Sequence, residues 1–310
     1  MAMQDRVIIR DTTLRDGLQL VVEQVPAAQK IKWLHDLVHA GVTQIEVSSY
    51  VPPKVIAQFS DVADVVQGAM GQGVDISVLV PNLNGARRAF DAGLPQVNFV
   101  LSASEAHSKA NTRKTRDAAV KDFEAIVAER TARNLDHTRL SAGIATAFGC
   151  TMQGAVDEDE VVALAITLRD LGADEILVAD TVGYGNPAQV RRILGRIAEA
   201  IGPDRILSHF HDTRGLGLAN VVAALDVGVR RFDSTVGGLG GCPFAPGATG
   251  NIDTEDLAFM LQSMGYDTGV DIPQLVALQR QIAAALPAER VGGCIARAGL
   301  PINASAAVTA

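Results

Sequence analysis

Two histidines stand one residue apart in Ile206-Leu207-Ser208-His209-Phe210-His211-Asp212. On an extended strand, residues i and i+2 face the same side. The run therefore sets two imidazoles side by side at a strand's end, with a carboxylate just after them. Two neutral imidazole nitrogens on one face can chelate a metal ion; the same spacing also suits a pair of buried, hydrogen-bonded histidines. Further polar residues sit where apolar runs end. They are Arg15 and Asp16 in Asp11-Thr12-Thr13-Leu14-Arg15-Asp16-Gly17-Leu18-Gln19, then Glu46, Asp180 and Asn251. Burying several carboxylates requires compensating cations. A divalent metal together with Arg15 would supply them.

Such residues need a scaffold that brings distant positions together. Eight β-branched or apolar runs, at 7–13, 43–50, 75–81, 96–104, 139–149, 175–182, 206–212 and 230–238, have the length of buried strands. Helical patterns lie between and after them, at 27–40, 59–70, 85–92, 118–133, 158–171, 187–201, 216–227 and 254–264. Several of these end at a glycine, such as Gly41, Gly93, Gly172 and Gly228, where a helix terminus needs positive φ. The alternation predicts an α/β fold, a (β/α)8 TIM barrel over about residues 6–265. A doubly wound open sheet is the main alternative. Residues 266–310 read as a short C-terminal extension with one helix at 272–286, and with no linker the whole of 1–310 is expected to form one catalytic domain. Such barrels carry their chemistry at the C-terminal ends of the strands, which is where the polar residues fall.

The chain has 310 residues, 48% hydrophobic but only 4% aromatic, so its core is built from Val, Ala, Leu and Ile. A formal charge of -8 argues against nucleic acid or anionic lipid as a general partner. No stretch reaches the length of a membrane span, and the first residues lack a secretory-type apolar run. Cys150, Cys242 and Cys294 are too few and too scattered for a disulfide framework. A cytoplasmic protein with free thiols is the expectation.

At the same polar residues the chain resembles the 3-hydroxy-3-methylglutaryl-CoA lyase family, among the metal-dependent TIM-barrel lyases and Claisen-type synthases. The most specific stretch is Gly238-Leu239-Gly240-Gly241-Cys242-Pro243-Phe244-Ala245-Pro246-Gly247-Ala248-Thr249-Gly250-Asn251, continuing into Thr254-Glu255-Asp256-Leu257. Supporting matches are Arg15-Asp16-Gly17-Leu18-Gln19, Ile45-Glu46, Ser49-Tyr50-Val51, Pro81-Asn82-Leu83, Gly149-Cys150 and Asp180-Thr181-Val182-Gly183. The resemblance implies retro-Claisen cleavage of a 3-hydroxyacyl-CoA to acetyl-CoA and a 3-oxoacid such as acetoacetate, as in leucine degradation and ketone-body formation. It implies Asp16, His209, His211 and Asn251 as ligands of a divalent ion, Mg²⁺ or Mn²⁺ by donor type. Catalytic roles fall to Arg15, Cys242, Glu46 and Asp180, and substrate contacts to Gln19, Ser49 and Glu255. The general base is open among Asp16, Glu46, a metal-bound water and Cys242. The glycine-rich run before Cys242 suits a loop that closes on substrate and delivers a thiol. The expected partner is a small acyl-CoA, with the chain as a homodimer or larger homo-oligomer.

Some residues depart from the family pattern. Asp11-Thr12-Thr13-Leu14 reads like the synthases, Leu20-Val21-Val22 replaces polar residues, Gly143 stands where some lyases carry a tyrosine, and Thr151-Met152 follows Cys150. These alter the substrate walls, so citramalyl-CoA or a branched hydroxyglutaryl-CoA is the alternative substrate. A condensing synthase, a metal-dependent hydrolase barrel and a non-catalytic binding barrel are the competing classes. His35 and His39 imitate a metal pair but belong to an outer helix. Lys109, Arg113, Lys114 and Arg116 read either as a grip on coenzyme A phosphates or as an exposed helix start.

Overall fold

The computed structural model describes residues 5–241 and 250–301; the expectations placed on Cys242 lie outside the described residues. Eight parallel strands close into a barrel in chain order: Ile8–Asp11 (β1), Gln44–Ser49 (β2), Asp75–Val80 (β3), Gln96–Ser102 (β4), Arg139–Ala145 (β5), Glu175–Asp180 (β6), Ile206–Phe210 (β7) and Arg231–Ser234 (β8). The ring is sealed by β1 against β8, with Arg10 opposite Asp233 in register. Helices form the outer layer. Those used below are Ala27–His39 (α1), Glu105–Thr112 (α2), Arg116–Ala132 (α3), Glu158–Leu171 (α4), Pro187–Ile201 (α5), Thr254–Ser263 (α6), Ile272–Ala285 (α7) and Cys294–Ala298 (α8).

Local chemistry sets the boundaries. Side-chain oxygens of Ser104, Thr115, Asp157, Asn186, Asp253 and Asp271 accept from backbone N–H groups at the starts of α2 to α7. Each such cap contributes about 1 kcal/mol. On α5, Val190, Ile193, Leu194, Ile197 and Ile201 repeat at helical spacing and are all buried against the barrel. Burying each such side chain contributes about 1.5–3 kcal/mol. Strand residues alternate accordingly. Leu140, Ala142 and Ile144 of β5 join the core outside the barrel, whereas Ser141, Gly143 and Ala145 line a cavity within it.

The strands are shorter than the apolar runs suggest, for reasons visible at each end. In β1, Asp11 accepts from the N–H and hydroxyl of Thr13, and the chain coils into one wide turn over Thr13–Gly17. After β5, Thr146 takes φ 58, which no strand continues. Two short helices, α2 and α8, have too few apolar residues to show periodicity. Residues beyond α6 fold back on the barrel: Asp271 donates its N–H to the Ala40 carbonyl, and Gly292 donates to Gly237.

Inside the ring, charge replaces hydrocarbon. Arg10 is 2% exposed and grips Asp233, itself fully buried, through Nε to Oδ1 at 2.7 Å and Nη2 to Oδ2 at 2.8 Å. Its Nη1 lies 3.8 Å from Glu175, which also pairs with Arg231. Removing one partner of a buried pair strands the other's charge, at a cost of about 3–5 kcal/mol. Arg10→Ala is therefore expected to lose about that much stability in urea unfolding. Arg191→Ala, which breaks a half-exposed pair with Asp226, should lose less than about 1 kcal/mol. Equal losses would show that the interior pair carries no special weight.

Candidate active site

The wide turn after β1 presents Arg15 and Asp16 over the barrel's mouth, across from the end of β7. His209 lies in β7, and His211 just beyond it forms a bridge with Asn251. The imidazoles share one face, as their spacing predicts, with Nε2 atoms 3.0 Å apart. Asp16 Oδ2 lies 3.9 Å from His209 Nε2 and 3.6 Å from His211 Nε2. One donor atom from each of Asp16, His209 and His211 falls within 4.8 Å of the others, and all three residues are buried. Asn251 reaches the same point, donating its Nδ2 to Asp16 Oδ2 at 2.8 Å.

These residues fit a divalent cation. The Asn251 Oδ1 is buried and lacks a hydrogen-bond partner among the described residues, so an acceptor oxygen is left for a cation. Burial works against charge on Asp16, but Arg15 and the two histidines outweigh it and hold its carboxyl well below the usual range. It is therefore a carboxylate at neutral pH. The carboxylates of Asp16, Glu46, Glu175 and Asp233 face the guanidiniums of Arg10, Arg15 and Arg231. This leaves an excess of negative charge beside two imidazoles. Mixed carboxylate, amide and imidazole donors suit Mg²⁺ or Mn²⁺ and accommodate Zn²⁺.

The surroundings fix these donors. His209 Nδ1 lies 3.0 Å from Asp233 Oδ2, so the ring donates there and directs its Nε2 lone pair into the site. Burial raises the Asp233 carboxyl, but Arg10 and His209 overcome this and bring it down to about 2. Arg15 is clamped from behind, donating Nε to Glu46 and Nη1 to Asp16. Glu46 in turn accepts from Asn98 Nδ2 at 2.6 Å. Glycine is required where the 237–251 segment meets the site. Gly240 has φ +126, and a Cβ there would lie 2.7 Å from Asn251 Nδ2; one at Gly250 would lie 1.9 Å from the Gly238 carbonyl.

A cavity of about 400 Å³ adjoins the donors, within the usual range for small-ligand sites. Arg15, Asp16, Gln19, Glu46, His209 and His211 all line it. Other expected site residues are engaged elsewhere. Asp180 spends both oxygens on the N–H groups of Tyr184 and Gly185, at 2.8 and 2.9 Å, and burial raises its pKa despite them. Ser49 is buried, bridging the Leu79 carbonyl and the Val51 N–H. Glu255 accepts from Gly237 behind the glycine segment, and burial beside Asp253 pushes its pKa well up. Cys150 is buried, its sulfur accepting from Met152 N–H. Lys109 pairs with Glu105, and Arg116 with Glu160. Lys114 pairs with Asp122 and reaches the cavity wall.

Sequence reasoning missed Arg10, Asn98, Glu175 and Asp233. A signal existed for two of them, since opposite charges interrupt the apolar runs of β1 and β8, neighbours in any closed barrel.

Comparison with known proteins adds an independent view. The HMGL-like family model matches residues 6–282. The 3-hydroxy-3-isohexenylglutaryl-CoA/hydroxy-methylglutaryl-CoA lyase of Pseudomonas aeruginosa is 37% identical over 288 residues, 92% of this chain and 95% of that one. An (R)-citramalyl-CoA lyase of Chloroflexus aurantiacus is 36% identical, covering 91% of this chain and 92% of its own. Among solved structures, an HMG-CoA lyase from Acenitobacter baumannii in complex with coenzyme A and 3-methylmalate superposes with a TM-score of 0.92, at 40% identity over 98% of both chains.

Two predictions test the Asp233 contact. Asp233→Asn should weaken divalent-metal binding about 10–100-fold, measured by calorimetric titration; wild-type affinity would remove Asp233 from the support of His209. The folded pKa of about 2 lies below the ordinary value, so the stabilisation is complete above about pH 4 and fades as pH falls towards 2. Wild type should lose about 2 kcal/mol more than Asp233→Asn across that window in urea unfolding. Equal losses would contradict the assignment.

Proposed function

The chain belongs to the HMGL-like family and is a carbon–carbon lyase of the hydroxymethylglutaryl-CoA lyase type. From that premise we propose that it cleaves a 3-hydroxy-3-methylglutaryl-CoA-like thioester to acetyl-CoA and a 3-oxoacid, using Mg²⁺ or Mn²⁺. The observation that carries this reading is the convergence of Asp16, His209 and His211 beside Arg15 in one cavity, with Asn251 bonded to Asp16.

In the reaction the C3 hydroxyl gives up its proton and the new C=O forms as the C2–C3 bond breaks. The bonding pair passes into the thioester as an enolate, which takes a proton at C2 to become acetyl-CoA. Asp16, His209, His211 and the Asn251 oxygen would hold a divalent ion, which would supply Lewis acidity for the loss of the C3 hydroxyl proton. Arg15 supplies fixed positive charge for the enolate oxygen. Its clamp by Glu46 and Asp16 holds that charge in place before substrate arrives. With both oxygens engaged by Arg15 and Asn98, Glu46 acts as a positioning residue. Gln19 is placed on the cavity wall to meet substrate. Gly241 also lines the cavity, and Cys242 follows it in the chain; its thiol is the proposed proton carrier to C2. Among the described residues no other cysteine serves, because Cys150 is buried and Cys294 exposed, and neither lines the cavity.

A second substrate, citramalyl-CoA, is favoured by one comparison: the citramalyl-CoA lyase matches this chain as closely as the hydroxymethylglutaryl-CoA lyases do. The same bond cleavage would then give acetyl-CoA and pyruvate.

The test is acetyl-CoA release from both thioesters in Mg²⁺ or Mn²⁺, with chelation abolishing it. Acetyl-CoA consumption with a 2-oxoacid, and no release, would favour a synthase. Cys242→Ala should keep metal affinity and lose turnover by about 10²-fold or more; unchanged turnover would exclude the thiol. Arg15→Gln should lower kcat by a similar factor while sparing the fold.

A further inference from the structure

The cavity has two unlike ends. One opens to solvent between the loops that follow β2, β3 and β4, where Pro52, Val55, Asn82 and Lys114 line it. The other is blind and runs down between β4, β5 and β6 inside the barrel. Across these strands Val100, Gly143 and Leu177 stand in direct register. Ala145 and Ala179 line the wall above them, Ala179 opposite His209 in the ladder, and Asn98 and Ser141 form the floor. Among the described residues, no charged side chain from β4, β5 or β6 lines this end.

Resting on the lyase reading, we infer that the blind end receives the C3 substituent of the substrate, and that this substituent is an apolar chain longer than methyl. Gly143 and Leu177 set its length. The reacting carbons must lie near Asp16, His209 and Arg15, and the coenzyme can leave only through the open end. The remaining space therefore belongs to the acyl part. A carboxylate directed there would lose its hydration without meeting a cation, whereas an alkyl chain gains by leaving water. A methyl group would leave the faces of Val100, Leu177 and Ala179 that border the cavity without a ligand contact, forfeiting that dispersion attraction.

Gly143 is the residue that keeps this end open. A Cβ placed there would lie 2.8 Å from Val100 Cγ2 and 3.3 Å from Leu177 Cδ2, so an alanine must push one of these side chains into the slot they border. Its backbone does not need a glycine, since Gly143 is not among the positive-φ residues and sits mid-strand in β5. What the missing side chain provides at this position is room for Val100 and Leu177 to pack back against β5 instead of standing out into the cavity.

The experiment compares binding of 3-methylglutaryl-CoA and 3-butylglutaryl-CoA in Mg²⁺ by calorimetry. Both lack the C3 hydroxyl, so neither can be cleaved and the chamber is read apart from catalysis. Wild type should bind the butyl thioester at least tenfold more tightly, since single methylenes in apolar pockets discriminate about 10–200-fold. Gly143→Ala should cut that preference by tenfold or more with metal affinity retained. Leu177→Ala, which widens the slot instead, should preserve or raise it. Equal affinities in wild type, or a preference unmoved in both variants, would overturn the inference. Acetyl-CoA release from the corresponding 3-hydroxy thioesters is scored separately. A standing butyl preference without release would sink the lyase reading and leave the chamber intact.

Discussion

A closed barrel has an interior that water barely enters, so any charge placed there must be answered by another. The contact that answers it here is Arg10 with Asp233, two hydrogen bonds across the β1–β8 seam. From this pair a circuit of polar contacts runs round the interior. Asp233 holds His209, His209 faces His211 and Asp16, Asp16 meets Arg15, and Arg15 meets Glu46. Asn98 and Gln96 carry it on to Glu175, which returns to Arg10. The Asp16–His209–His211 cluster is one arc of this circuit.

Such an arrangement is a poor source of stability. Desolvating several ions costs nearly as much as their attraction returns, and a packed hydrocarbon interior would serve a mere scaffold as well or better. The apolar shell between strands and helices, with Trp33, Leu34, Phe123 and Ile193 fully buried, bears the weight of folding. The interior charges are tolerated because they orient: the guanidinium of Arg15 and the ring of His209 are each fixed by a carboxylate behind them. Preorganised charge of this kind does its work without rearranging when the reaction builds negative charge on substrate.

The barrel was readable from the alternation of apolar runs, and the cluster of Asp16, His209 and His211 from His-x-His plus a strand-end carboxylate. Their convergence required only that eight strands close. Strand ends were less readable, because side chains such as Asp11 turn the chain by local hydrogen bonds that hydropathy does not register. Residue type also overreached. Asp180 and Ser49 spend their oxygens on backbone N–H or carbonyl groups, and Glu255 turns one oxygen to the Gly237 N–H. Of the supporting charges, Arg10 and Asp233 left only the trace of opposite charges in β1 and β8, which gains meaning once the register across the seam pairs them. Glu175 left none, since it meets Arg10 across the interior and not along a ladder.

Asp16 and Asn251 meet although 235 positions separate them along the chain. An ion held by both would clasp an early and a late part of the polypeptide. The half-made protein has no complete site, so a divalent cation would enter only once the eighth strand had docked beside the first. Because a ligand that prefers the finished form shifts the equilibrium towards it by mass action, cation supply would then also govern how firmly the seam stays shut, and scarcity would be felt first as fraying between β1 and β8.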